Sequence, residues 1–382
     1  MTASRARLRF DRHELAGSFG DLGTDLPLIA GMIVVAKLDA VGVLAVFGAL
    51  QIATGLLYRM PMPVQPLKAM AALVIAQKAD AATLFGGGLA IGLLVLVLTA
   101  TGLLGRLAGA IPPAVVRGVQ FGLGLQLALL AGRDFIGPSG WIGWSLATAA
   151  LVVVLALWEH RRWPAALVVV AMGLVYGGVF ELDWAALRSG VGFALPTPRV
   201  PAAAEVWTGL LVLALPQLPL SLGNSLLATE RLAGDLFPER APGVRKLGFT
   251  YAVMNLVAPF LGGVPVCHGS GGMAGHYAFG ARTGGSVVLY GGALVLVGVF
   301  FGGSFAEIGR FFPRAILGVL LFFEGLALLR RVRDAGLTRD QWFVTFVVGL
   351  AAVALPNGYL VGLLVGWILS VWMAKHPGLR DA

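Results

Sequence analysis

Apolar residues run in continuous blocks along this chain, without strand-like alternation, and the blocks end in Gly, Pro or Arg or at other charged residues. Block by block the pattern predicts fourteen helical segments. The first seven fall at roughly 17–36, 41–58, 64–78, 84–104, 111–131, 142–158 and 163–180. The second seven fall at roughly 205–229, 247–262, 265–280, 284–305, 313–330, 341–355 and 358–374. Between the sets lies the longest polar stretch, Glu181 to Glu205, with Pro196, Pro198 and Pro201, which reads as a connector. The expected division is a tail over 1–16, a first repeat over 17–180, a connector over 181–204, a second repeat over 205–374 and a tail over 375–382. No soluble regulatory domain is expected. An odd number of spans per half sends the second half into the membrane from the opposite side, so similar halves would form an inverted repeat.

Two breaks interrupt the apolar pattern at matching places. PMPVQPLKAM covers Pro61 to Met70 and GVPVCHGSGG covers Gly263 to Gly272, with Pro63-Val64 and Pro265-Val266 lying 202 residues apart. Each opens an apolar stretch too brief to cross a bilayer unaided. Paired interruptions of this kind mark the binding site of transporters built from repeats. A helix that begins inside the membrane leaves its first amides unpaired, which is costly in lipid unless they face a cavity or a ligand. Such amides suit an anion. Fainter echoes support the repeat: Pro113 to Gly118 aligns with Pro313 to Gly318, and Leu26-Pro27-Leu28 recurs as Leu218-Pro219-Leu220.

Composition makes the membrane assignment independent of these motifs. The chain is 58% hydrophobic and only 12% charged, with a mean hydropathy of +0.86, whereas soluble domains carry about a quarter charged residues. Continuous runs exclude a β-barrel. The fold class is therefore an all-α integral membrane protein. The net charge of +9 reports topology rather than nucleic-acid binding, because the basic residues sit in short loops. With the N-terminus inside, nineteen of them fall on the inner side. Seven fall outside (Lys37, Lys78, Arg133, Arg188, Arg199, Arg310 and Arg314), and Lys68 and Arg117 lie within spans. The expected placement is a multi-pass protein of the cell (inner) membrane with both termini cytoplasmic. The first span contains Asp21 and Asp25 and lacks a small-residue cleavage site, so no removable leader is expected. A single cysteine, Cys267, excludes an intrachain disulfide.

Four stretches carry a family resemblance: FGDLGTDLPLIAGM at Phe19 to Met32, PMPVQPLKAMAA at Pro61 to Ala72, LPQLPLSLGNSLLA with GDLFP at Gly234 to Pro238, and CHGSGGMAGHYAFGARTG at Cys267 to Gly284. They resemble the molybdate transporter family, a branch of the sulfate permease superfamily. The resemblance implies a core domain from spans 1 to 4 and 8 to 11 and a gate domain from spans 5 to 7 and 12 to 14. It implies an elevator- or rocking-type movement between them, and relatives that often dimerise.

Candidate site residues follow from the breaks. Spans 3 and 10, expected to begin near Val64 to Leu67 and Cys267 to Ser270, would bring two helix N-termini to the midplane. Val64, Gln65, Gly269, Ser270 and Gly271 would supply amides, a side-chain donor, a hydroxyl and close backbone approach. Glycines there also fit tight helix packing. Lys68, an intramembrane cation, would offset substrate charge or form an ion pair with Asp21 or Asp25. Gln217, Ser221, Asn224 and Ser225 share one face of span 8, as a cavity lining or as interhelical glue. His268 is a candidate for anion contact or proton relay. Asp21 and Asp25 would repel a dianion unless protonated, which makes them candidates for proton coupling, alongside Glu324 in span 12; helix capping is the other reading of the aspartates. No metal site, cofactor, catalytic triad or phosphate loop is apparent, so an enzyme is not expected.

Inward movement of a dianion against a negative-inside potential costs about 4.6 kcal/mol per 100 mV, which points to proton symport. The expected function is import of a tetrahedral oxyanion, which the family resemblance implies to be molybdate, with sulfate as the alternative. The alternatives are a nucleobase-proton symporter of the uracil permease type, whose sites use acidic side chains from spans 8 and 10, and a passive anion channel or exchanger.

Overall fold

The computed structural model describes residues 7–157, 165–183, 185, 188, 190–304, 312–333, 336–356 and 358–375. A helix overlaps each of the fourteen expected segments, with ends that differ by several residues in places. In chain order the elements are α1 (Arg12–Gly17), α2 (Leu22–Ala36), α3 (Ala40–Tyr58), β1 (Val64–Pro66), α4 (Lys68–Gln77), α5 (Ala81–Ala100), α6 (Leu103–Ala110), α7 (Pro113–Leu130), α8 (Gly140–Ala156) and α9 (Ala165–Phe180). The second half continues with α10 (Ala203–Leu236), α11 (Val244–Val257), β2 (Val266–His268), α12 (Ser270–Ala278), α13 (Gly285–Phe301), α14 (Arg314–Arg333), α15 (Arg339–Ala354) and α16 (Gly358–Lys375). Among the described residues six helical stretches are long and apolar enough to cross a membrane. The starts follow ordinary capping chemistry. Asp39 accepts from the amides of Val41 and Gly42 at 3.1 and 3.3 Å, and Asp80 from that of Thr83 at 2.8 Å.

The two breaks differ from the expectation of helices starting at once. Residues 64–66 and 266–268 are extended and pair with each other as a two-stranded antiparallel sheet, and the helices begin only at Lys68 and Ser270. Pro63, Pro66 and Pro265 explain this, since each lacks an N–H and disfavours helix in the residue before it. Extended backbone inside a membrane must find partners, and each strand finds them in the other. The register pairs Val64 with His268, Gln65 with Cys267 and Pro66 with Val266. Under the 202-residue offset of the breaks, this register is symmetric about the Gln65–Cys267 pair.

Side chains complete the pairing on each outer edge. Gln51 of α3 donates from Nε2 to the Val64 carbonyl at 2.7 Å and accepts from the Val64 amide at 2.9 Å. Asn255 of α11 makes the same two bonds to Val266, at 2.7 and 2.9 Å.

The helices that pack most extensively fall into two groups. In one, α3 packs along α13 while α11 and α10 pack along α5. The first contact is close enough that a Cβ on Gly48 would lie 2.5 Å from the Gly291 carbonyl oxygen. In the other, α7 packs against α14 and α15, and α15 against α16. A smaller apolar cluster joins Ala150 of α8, Val169 of α9 and Ile316 of α14. Loops assigned to the same side by charge meet in space: Arg240 donates to the Arg59 carbonyl at 3.0 Å, and Glu14 accepts from the Arg282 and Thr283 amides at 2.9 and 2.8 Å. In the connector, the Arg199 amide donates to the Phe260 carbonyl at 2.8 Å and its guanidinium pairs with Glu205.

Helix α10 is longer than expected and contains two widened π stretches, Leu210–Ala214 and Ser221–Leu227. They flank Pro216 and Pro219, whose missing N–H groups break the regular i to i−4 ladder.

Candidate functional site

The paired strands deliver the chain directly into α4 and α12, and a pocket opens where those two helices begin. Its wall consists of Gln65, Lys68, Gln217, Leu220, Asn224, Ser225, Cys267, His268, Gly269, Ser270 and Gly271. The free volume is 40 Å³, room for about three water molecules. A larger cavity of 720 Å³, lined by Pro112, Pro113, Ala114, Arg339, Ser370 and Met373 among others, shares no lining residue with it.

The two helix starts are treated differently. On α4, the amides of Ala69 and Met70 both donate to Oε1 of Gln217, at 2.9 and 3.2 Å. On α12, Gly269 is the N-cap and no side chain caps the helix. A Cβ on Gly269 would collide with the amide end of Gln65, so a larger residue there requires Gln65 to move. Gln65 is itself fixed, donating from Nε2 to Oδ1 of Asp21 at 2.5 Å.

Eight of the ten residues expected to bind substrate line this one pocket: Gln65, Lys68, Gln217, Asn224, His268, Gly269, Ser270 and Gly271. The other two are placed otherwise. Val64 has both backbone groups engaged by Gln51 and is not on the wall of this pocket, because it lies in the strand rather than at a helix start. Ser221 is fully buried behind the wall, where its hydroxyl meets Nε2 of Gln217 at 3.1 Å and the Tyr251 hydroxyl at 2.7 Å. The π stretch that begins at Ser221 shifts the register of the polar stripe, turning Asn224 and Ser225 toward the pocket instead.

Asp21 and Asp25 are both buried. Asp21 holds the N-cap position of α2 but caps nothing with its side chain; its carboxylate turns to Gln65 and flanks the start of α12, where a Cβ on Gly272 would meet Oδ2 at 2.1 Å. Asp25 accepts from the Tyr290 hydroxyl at 3.2 Å. His268 lines the pocket, and its Nε2 contacts Oγ1 of Thr250 at 2.7 Å, which in turn meets the Tyr58 hydroxyl at 2.6 Å. The side chain of Glu324 lies outside the described residues. No group of three or more His, Cys, Asp and Glu is placed to hold a metal among the described residues.

Sequence reasoning missed Gln51 and Asn255. Each is a lone amide in an apolar helix, and the available signal was that they sit 204 residues apart, close to the offset of the breaks. Leu220 and Cys267, neither singled out as a candidate from the sequence, also lie on the pocket wall.

Residues 13–127 and 209–328 match the family described as "Molybdate transporter of MFS superfamily". The chain belongs to the molybdate transporter family. This transporter is 31% identical to Molybdate transporter 1 of Arabidopsis thaliana, over 95% of its own length and 89% of the relative's. It is 33% identical to Molybdate transporter 2 of the same plant, over 96% and 90%. Among solved structures, its fold is similar to the transmembrane domain of the cyanobacterial bicarbonate transporter BicA, with a TM-score of 0.66 at 18% identity over 96% of this chain and 98% of that one. Murine Slc26a9, an anion transporter in the inward-facing state, gives 0.72 at 14% identity over 98% and 70%. The fold is thus of the SLC26 type, although the family description names another superfamily. The relatives are transporters, not enzymes.

Proposed function

We propose that this protein is a secondary active importer of a tetrahedral oxyanion, molybdate first and sulfate second, working by proton symport. The observation that carries this reading is the small pocket at the starts of α4 and α12, with Lys68 on its wall. Helix N-termini favour anions through their partial positive charge and free amides, and a lysine adds a full charge. The names of the curated relatives supply molybdate. Room for about three waters suits a four-oxygen ion better than a nucleobase, and the wall offers amides and hydroxyls where a nucleobase carrier would place carboxylates.

The rest of the proposal concerns how the site is exposed. The halves form a 7+7 inverted repeat, supported by the symmetric strand register and the matching Gln51 and Asn255 bonds. The two packing groups correspond to a core and a gate that move past each other in an elevator or rocking motion. Asp21 and Asp25, with Glu324, carry the coupled protons. The protein sits in the cell membrane with both termini cytoplasmic and forms a homodimer.

The test is uptake of molybdate into proteoliposomes under an inward proton gradient, competed with sulfate, tungstate and uracil. Accumulation driven by the gradient and blocked by tungstate more than by sulfate is the expected result. Inhibition by uracil alone would overturn the assignment, and equilibration without accumulation would make the protein a channel.

A further inference from the structure

We propose that Gln217 is an internal stand-in for the substrate: its amide oxygen occupies the α4 amides in the empty carrier and yields them to an oxygen of the anion on loading. The inference rests on the oxyanion reading of the pocket and assigns one residue a role beyond lining it.

A helix that starts within the membrane must have its first amides satisfied whether or not a ligand is bound. In this structure Oε1 of Gln217 accepts from Ala69 N and Met70 N at 2.9 and 3.2 Å, the bonds an anion oxygen would take. Gln217 is 2% exposed, so water does not replace it in this arrangement. Helix α12 has no such cap. The two half-helices therefore play unequal parts, α12 as the standing receptor and α4 as the end that must be vacated.

The surroundings of Gln217 suit a group that turns aside. Its Nε2 donates to the Ser221 hydroxyl, which pairs with the Tyr251 hydroxyl, and both hydroxyls can exchange donor for acceptor. Its backbone lies between two π stretches, Leu210–Ala214 and Ser221–Leu227, features that recur where helices adapt at functional sites. A symporter must also return empty. With the stand-in bonded, the empty core crosses the apolar region with its α4 amides satisfied.

The experiment compares wild type with Gln217→Met, which keeps the length and loses the carbonyl, and Gln217→Ala as a second variant. Molybdate Kd is measured by calorimetry in detergent; net uptake and molybdate counterflow are measured in proteoliposomes. Losing the competitor should lower Kd about three- to tenfold, the worth of one or two exchanged hydrogen bonds. Net uptake, which needs the empty return, should fall tenfold or more while counterflow persists. A merely structural residue would reduce both transport modes together and leave Kd unchanged, and a direct ligand would raise Kd; either result overturns the proposal. Wild type that binds neither molybdate nor sulfate would instead bring down the oxyanion reading itself.

Discussion

Gly269 shows how little latitude the pocket allows. Its missing side chain is where Oε1 of Gln65 stands, and a retreat of Gln65 would disturb the bond its Nε2 donates to Asp21. Gly269→Ala should therefore cut initial molybdate uptake about tenfold or more, the kinetic equivalent of the 1–3 kcal/mol that overpacking costs, with an unchanged size-exclusion profile. Normal uptake by that variant would show that Gln65 moves freely. Glu14 makes the opposite case, a buried carboxylate with no place in the pocket. It accepts from the backbone amides of Arg282, Thr283 and Ser286 at 2.8 to 2.9 Å, which satisfies the start of α13 and ties α1 to it. Glu14→Ala leaves those donors without their acceptor and should destabilise the protein by about 2–4 kcal/mol. Thermal unfolding in detergent would read this as a lowered Tm, while molybdate Kd in the folded fraction should stay the same.

The elements on either side of the pocket depend on two amides that act as matching brackets. Gln51→Leu and Asn255→Leu each strip a strand of both side-chain bonds and leave a buried N–H and C=O unsatisfied, about 1–3 kcal/mol per group. Their equivalent positions predict equal consequences. Each variant should lower uptake by an order of magnitude or more, measured as initial rate per folded molecule, and a large loss in one with none in the other would argue against equivalent roles. The helices were legible from the sequence because run length and capping residues such as Asp39 and Asp80 are local signals. The strand pair was not. Pro63, Pro66 and Pro265 say that the chain cannot be helical there, but the partner of each strand lies some two hundred residues away. The regular helical period puts Ser221 and Asn224 of α10 on one face. The π stretch that separates them follows from prolines whose effect depends on what the freed carbonyls meet. Gln65, Lys68 and the glycines around Ser270 were readable because Pro and Gly cluster there with polar and charged groups, which are costly inside a membrane without partners.

For the whole molecule, the deciding quantity is the charge that crosses with each anion. A dianion moving alone into a compartment at −100 mV is opposed by about 4.6 kcal/mol, which lowers its equilibrium accumulation by about three orders of magnitude. Two carboxylates are buried in this region of the fold, Asp21 bonded to Gln65 of the pocket wall and Asp25 to Tyr290, and two protons would make the cycle electroneutral. This predicts a specific pattern in proteoliposomes whose potential is clamped with potassium and valinomycin. At fixed pH difference, molybdate accumulation should be indifferent to potential between 0 and −100 mV; at fixed potential, it should rise as the outside is acidified. Accumulation that increases with a negative interior would require a third proton, and one that collapses with it would mean fewer than two. Asp21→Asn should then sever the response to pH difference while leaving counterflow intact, because exchange of one dianion for another needs no proton to balance it. Loss of counterflow as well would make Asp21 part of the binding scaffold through its bond to Gln65, and would shift the coupling role to Asp25.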